Sequence, residues 1–219
     1  MKKILCFGYR DWAIEIYNRL ADCSRLDVHI FTEKELLTVD LVIRHSPDFI
    51  LFYGWSWYVP SEIVSGYSCL MLHPSALPSF RGGSPLQNQI IRGVTSTKST
   101  IFLMDHGLDT GDILRQAELS LEGNIPDIFS RLSTSGFDMT VDIINNGFNA
   151  IPQSNVDCSV FKRRTPSDSE ITQSELQHQS AKYLYNKVRM LTGPYPRAYI
   201  RTSDGKKLLL HSVEIVDDL

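Results

Sequence analysis

No apolar run in the 219 residues is long enough to span a bilayer. After Met1-Lys2-Lys3 the apolar stretch 4–7 is soon broken by charged Arg10 and Asp11, too short for a secretory signal. The expected location is therefore the cytoplasm, with no membrane insertion. Cysteine is scarce: Cys6, Cys23, Cys69 and Cys158 form no C-x-x-C pair, which supports neither a metal site nor a disulfide framework. Cys6 and Cys69 fall in apolar runs, where a free thiol behaves as a small hydrophobe. A surplus of one charge is also missing, and a net −3 gives no footprint for nucleic acid. Internal repeats and low-complexity runs are absent as well. What is present, 42% hydrophobic and 21% charged residues, is ordinary for a globular chain. The length suits one main domain with a small appendage.

The first apolar run, 3–7, reads as a strand ending at Gly8, and 11–20 follows with Ala13, Ile14, Ile16, Tyr17 and Leu20 at helical spacing. Gly8 stands alone without G-x-G-x-x-G, which argues against a dinucleotide. Strands are expected at 26–31 and 49–52, and an aromatic loop, Tyr53-Gly54-Trp55-Ser56-Trp57-Tyr58-Val59-Pro60, comes next. Such a loop suits either core packing or a wall for a flat heterocycle. Residues 113–121 alternate like an exposed strand, and 125–148 carry helical spacing for one helix or a pair. A polar linker at 149–159 leads to an amphipathic helix over 174–191. A hairpin is expected from 197–201 and 206–216 across Ser203-Asp204-Gly205. The division is thus 1–150 and 151–219.

The chain is organised around residues 72–112. An apolar run delivers His73 to its end, and Pro74 and Pro78 stiffen the loop after it. Gly82 and Gly83 permit a turn or a close approach, and Ser84 is a good N-cap for a helix over 85–92 with Pro85 at its first position. A second apolar run, 98–104, opens into a loop bearing Asp105, His106, Asp109 and Asp112. Adjacent parallel strands release their loops at one edge, which would bring His73 to Asp109. A histidine oriented by a carboxylate is a general-base arrangement; a solvated His at a strand end is the alternative.

The stretch His73-Pro74-Ser75-Ala76-Leu77-Pro78-Ser79-Phe80-Arg81-Gly82-Gly83-Ser84-Pro85-Leu86, followed by Gly107-Leu108-Asp109-Thr110-Gly111-Asp112-Ile113, resembles the signature of the N10-formyltetrahydrofolate-dependent formyltransferases. Phe161-Lys162-Arg163-Arg164-Thr165-Pro166 and the segment from Tyr185 to Pro196 resemble the sugar N-formyltransferase branch. The resemblance implies an α/β fold with a Rossmann-like, open, mostly parallel sheet and a small C-terminal unit of helix plus β-hairpin. It implies transfer of a formyl group from N10-formyltetrahydrofolate to the amine of a nucleotide-linked amino-dideoxy sugar, for surface polysaccharide biosynthesis. Glycinamide ribonucleotide is the alternative acceptor. His73 is then the base and Asp109 its orienting partner. Trp57, Tyr58, Val59, Leu108 and Asp112 fall on the folate side. Ser75, Arg81, Gly82 and Gly83 shape the loop beside the sugar. Tyr9 and Arg10 at the first helix start, with Lys162, Arg163 and Arg164, are candidates for a phosphate, against solvated surface turns.

His106 falls outside the family's catalytic positions. The tail is shorter than the barrel by which tRNA-modifying relatives hold tRNA, and a homodimer through the C-terminal hairpin is a further expectation. One position departs from the pattern. The family places Asn two residues before the histidine, donating to the oxyanion, and here that residue is Met71, whose thioether donates nothing. Another donor must then take the role, or the chain is a slow enzyme or a non-catalytic folate or nucleotide-sugar binder.

Overall fold

β1 (Lys2–Phe7) is apolar from Ile4 to Phe7 because both faces of its sheet are covered. Ile4 and Cys6 join a core on one face, Leu5 and Phe7 a second core on the other. The computed structural model describes residues 1–154 and 156–217; Asn155, within the stretch read as a linker, and Asp218 and Leu219 lie outside the described residues. α1 (Asp11–Ala21) buries Trp12, Ala13, Ile16, Tyr17 and Leu20 along one stripe, as its spacing predicts. β2 (Leu26–Phe31) and β3 (Phe49–Leu51) pair in parallel with the two sides of β1. Between them α2 (Val39–His45) sets Val42 in the second core, and α3 (Ser61–Gly66) adds Ile63.

β4 (Cys69–His73) pairs in parallel with β3, whereas β6 (Ser96–Leu103) and β7 (Ile113–Ser120) continue the sheet antiparallel. The order is β2-β1-β3-β4-β6-β7, a Rossmann-like sheet with a reversed edge. The two-residue strands Arg81–Gly82 and Val160–Phe161 (β5 and β8) pair in parallel, with the helix α4 (Pro85–Ile91) between them in sequence. The spacing over 125–148 resolves into a single helix, α5 (Ile125–Asn146), which begins in a capping box of Asn124 with Asp127. Its Ile128, Leu132 and Ile143 face the first core.

The helix expected over 174–191 is two, α6 (Gln173–His178) and α7 (Ala181–Arg189). Ser180 caps α7 by accepting from the Tyr183 N–H at 3.2 Å, so a hydroxyl preferred at N-caps splits a continuous amphipathic pattern. The hairpin exists but is short: β9 (Tyr199–Arg201) and β10 (Lys207–Leu209). Ile171, Val188, Met190, Leu191 and Ala198 enter the first core, so much of 151–219 packs on the sheet domain. Burial pushes the Cys69 thiol up to about 12 and Cys6 well above its ordinary range, in keeping with inert core thiols. Among the described residues no helix is long and apolar enough to cross a membrane, and no three His, Cys, Asp or Glu side chains converge as metal ligands.

Candidate active site

Alternation along β4 puts Leu70 and Leu72 into the first core and turns Met71 and His73 to the opposite face. There His73 is buried, and its Nε2 lies 2.8 Å from the carbonyl oxygen of Phe80. A carbonyl only accepts, so Nε2 carries a proton, and in a neutral ring Nδ1 then keeps its lone pair. Asp109 Oδ2 is 3.6 Å from that Nδ1 and accepts the Gly82 N–H at 2.8 Å. The ring is therefore held by Phe80, while Asp109 waits where an imidazolium proton would appear.

The route by which Asp109 arrives differs from expectation. β6 runs antiparallel to β4, with Leu103 opposite Leu70, so the two strands do not release their loops at a common edge. The 104–112 loop instead comes back toward His73, with Asp109 in a left-handed conformation at φ 55°. Gln153, inside the expected linker, fixes that turn by donating to Asp109 O at 3.0 Å and Gly111 O at 2.7 Å. Its Oε1 accepts from Arg81 Nη2 at 2.7 Å and Nε at 3.1 Å. Arg81 is thus buried and engaged with Gln153, where a loop beside the sugar was expected to present it.

His73 and Asp109 line a cavity of about 620 Å³. Arg10, Trp57, Tyr58, Val59, Met71, Gly82, Leu108, Arg163 and Arg164 line it as well. Its apolar wall includes Trp55, Val64, Phe102 and Met104, and Trp55 buries its Nε1 without a partner among the described residues. Flat aromatic faces beside an unmet N–H suit a heterocycle with polar edges. Val59 is buried in that wall, whereas Trp57 is 39% and Tyr58 80% exposed, at the rim. His106 lies in the lining beside Ser65, with Nε2 3.2 Å from its hydroxyl.

Tyr9, Ser75, Arg81, Gly83, Lys162 and Asp112 do not line the cavity. Tyr9 supports it from behind, its ring 4.4 Å from that of Trp57 and its hydroxyl donating to Ser56 at 2.9 Å. Ser75 donates to Ser79 O at 2.7 Å and so shapes the proline loop internally. Asp112 serves through its carbonyl, which accepts from Leu103 N at 2.9 Å. Gly82 and Gly83 act through space. A Cβ on Gly82 would stand 2.4 Å from Phe161 O, and one on Gly83 2.4 Å from the Arg163 Cα. Their bareness lets the basic segment lie against the loop, where Phe161 stacks on Phe80 at 5.0 Å beneath Arg92. Ser84 is left-handed and caps no helix with its side chain; its Oγ accepts from Arg164 N at 3.1 Å. Lys162 stays exposed, and Arg163 and Arg164 reach the lining. Among the described residues, none of Arg10, Arg163 and Arg164 is ion-paired with a carboxylate.

Residues 19–124 match the family model described as Formyl transferase. A solved chain, methionyl-tRNA formyltransferase from Clostridium thermocellum, is 33% identical with a TM-score of 0.86, covering 100% of both chains. The chain belongs to the formyl transferase family. The chain is also 34% identical to methionyl-tRNA formyltransferase of Sulfurimonas denitrificans, over 78% of its own length. It spans 55% of the length of that relative. A sugar N-formyltransferase from a Shewanella species shares the fold, with a TM-score of 0.78 at 18% identity and 99% and 100% coverage.

The motif reading found His73, Asp109 and their loop. It missed the Phe80 carbonyl, Gln153 and Gln87, the last a buried cavity residue. Gln87 shares a buried run with Asn88 and Gln89, and sequence gives no sign of which amide faces the cavity.

Proposed function

We propose that the chain transfers a formyl group from N10-formyltetrahydrofolate to the amine of a nucleotide-linked amino-dideoxy sugar. The carrying observation is that the unpaired arginines Arg10, Arg163 and Arg164 share one cavity with His73 and Asp109. Guanidinium groups without carboxylate partners suit a phosphate, and the chain as a whole carries a net charge of −3. The aromatic and apolar wall fits the flat pterin of the folate, which supplies the activated formyl carbon. The acceptor amine attacks that carbon, and His73 Nδ1 takes its proton. The resulting imidazolium holds one N–H on Phe80 O and turns the other to Asp109. An oxyanion develops at the formyl oxygen, and with Met71 beside His73 its donor must come from elsewhere. Collapse of that oxyanion breaks the bond between the formyl carbon and N10, and the His73 imidazolium gives its proton to N10 as tetrahydrofolate leaves.

A second reading is supported by the names of the relatives: the amine of a methionyl-tRNA as acceptor, for which Trp12, Leu86 and Phe129 would supply an apolar recess in the same lining. One assay separates the two. Wild type, His73→Ala and Met71→Asn would each be given N10-formyltetrahydrofolate with 3- and 4-amino nucleotide sugars, glycinamide ribonucleotide, or Met-tRNA. Formylated sugar from wild type and none from His73→Ala is the expected result. Product from Met-tRNA alone or from glycinamide ribonucleotide alone would overturn the acceptor. Tetrahydrofolate binding without product from any acceptor would mark a binder. A homodimer through the hairpin would use Leu208 and Leu209, exposed on β10. A monomeric mass in light scattering would reject it.

A further inference from the structure

Gln87 lies in the first turn of α4, is 2% exposed and lines the cavity that holds His73. A glutamine amide offers two donor hydrogens and an accepting oxygen. Neither Nε2 nor Oε1 of Gln87 has a partner among the described residues. Its neighbours behave otherwise: Asn88 donates to Gly83 O at 2.9 Å and Gln89 to Pro74 O at 2.8 Å. Of three successive buried amides, two hold the surrounding loop through their NH2 groups, although Gln89 Oε1 is itself unmet, and Gln87 alone of the three makes no side-chain hydrogen bond among the described residues. Burying a donor and an acceptor unmet is expensive, and an apolar residue there would avoid the cost.

Tyr195, from the turn after α7, shares the lining, and its hydroxyl faces the Gln87 amide without closing a hydrogen bond. Burial raises this hydroxyl above the ordinary tyrosine range, against the pull of Gln87, Arg10 and Arg163, so it stays neutral near pH 7. An amide, a phenol and the guanidinium groups of Arg10 and Arg163, from four separate segments, thus share one cavity lining, and all three partners act on the Tyr195 hydroxyl. The guanidinium groups match a phosphate, and the amide and phenol match hydroxyls, which both donate and accept.

We propose that Gln87 and Tyr195 read the hydroxyl groups of a sugar ring joined to phosphate in the acceptor, Tyr195 turning aside and the Gln87 amide gaining the partners it lacks. This deepens the function proposed above and rests on it. The sugar of an amino nucleotide sugar and the ribose at the end of an aminoacylated RNA share that chemistry, so both acceptors enter the test.

Wild type, Gln87→Leu and Tyr195→Phe would be compared by thermal midpoint, by tetrahydrofolate affinity, and by acceptor KM at saturating N10-formyltetrahydrofolate. The acceptors are the amino nucleotide sugar that wild type formylates, its deoxy analogue, and Met-tRNA. Gln87→Leu is expected to raise the acceptor KM by about 10- to 100-fold, because a polar contact made to bound substrate is lost. Tetrahydrofolate affinity should stay within about twofold and the midpoint should hold or rise, since an unmet buried amide has gone. Wild type should discriminate against the deoxy analogue, and Gln87→Leu should not. A midpoint several degrees lower, or equal discrimination by both proteins, would make Gln87 structural and overturn the proposal. An unchanged acceptor KM with an active wild type sinks this proposal alone. A wild type that formylates neither the sugars nor Met-tRNA sinks both it and the function on which it rests.

Discussion

His73 holds its ring with one nitrogen and leaves the other for the proposed proton transfer. Because Phe80 O occupies Nε2 at 2.8 Å, the proposed chemistry falls to Nδ1, with Asp109 Oδ2 3.6 Å from it. His73→Ala removes the base and should lower kcat by about 10²–10⁴, the usual worth of general catalysis, with tetrahydrofolate affinity kept. Asp109→Asn is a finer probe. One amide oxygen can still accept from Gly82 N–H, but nothing negative then faces the imidazolium, so kcat should fall while the thermal midpoint barely moves. Equal kcat for wild type and Asp109→Asn in single-turnover assays would remove Asp109 from the proton path. Gly82 carries φ 92° and meets Phe161 O at 2.4 Å from where a Cβ would stand. Gly82→Ala combines a left-handed penalty of about 1–2 kcal/mol with a clash, and should lower the midpoint in a thermal melt.

At the scale of elements the site depends on segments that carry no chemistry. Gln153 ties the Asp109 turn to the Arg81 fork with four hydrogen bonds of 2.7–3.1 Å. Gln153→Ala strips a buried guanidinium of the acceptor for its Nε and Nη2, leaving only Nη1 on Cys158 Sγ, and should cost about 1–3 kcal/mol. Denaturant melts would report the stability loss, and a kcat falling with unchanged tetrahydrofolate affinity would report the loosened turn. Arg81→Lys should behave similarly, since an ammonium cannot reproduce the fork. Little of this was legible. The apolar runs announced β1 to β4 and β6, because a covered strand must be apolar, but an apolar run carries no direction. The antiparallel β4–β6 pairing therefore stayed hidden, and with it the returning loop. Gln153 looked like any polar linker residue, since its partners are backbone carbonyls more than 40 positions away. The glycine pair was readable as a close approach, but not what approaches it, because β5 and β8 are two residues each and have no pattern of their own.

The whole molecule brings a distant C-terminal segment onto the site, for Arg163, Arg164 and Tyr195 all follow the linker. That segment is fastened by α6 and α7, where the nearly buried Lys187 Nζ meets Glu175 Oε1 at 2.6 Å, Oε2 at 2.9 Å and Glu170 O at 2.5 Å. Burial works against the Glu175 carboxylate, but the Lys187 hydrogen bond, the Thr172 N–H and the Lys187 charge outweigh it and hold the carboxyl below its usual range. The unfolded chain, with an ordinary glutamate near about 4.3, takes up the proton first as pH falls. The pair's contribution is therefore full above about pH 4.3 and disappears as pH drops through the lower folded value. Glu175→Gln should cost about 1–3 kcal/mol at pH 7, where it leaves a buried ammonium with a neutral partner, and progressively less in acid. Urea melts of both proteins between pH 3 and 7 would measure the gap. Closure of the gap in acid is the expected outcome, together with parallel loss of transfer activity as the segment bearing Arg163, Arg164 and Tyr195 loosens. A gap that stays constant with pH would mean that Glu175 acts through shape and hydrogen bonding alone, with its charge contributing nothing to how the tail is held on the sheet.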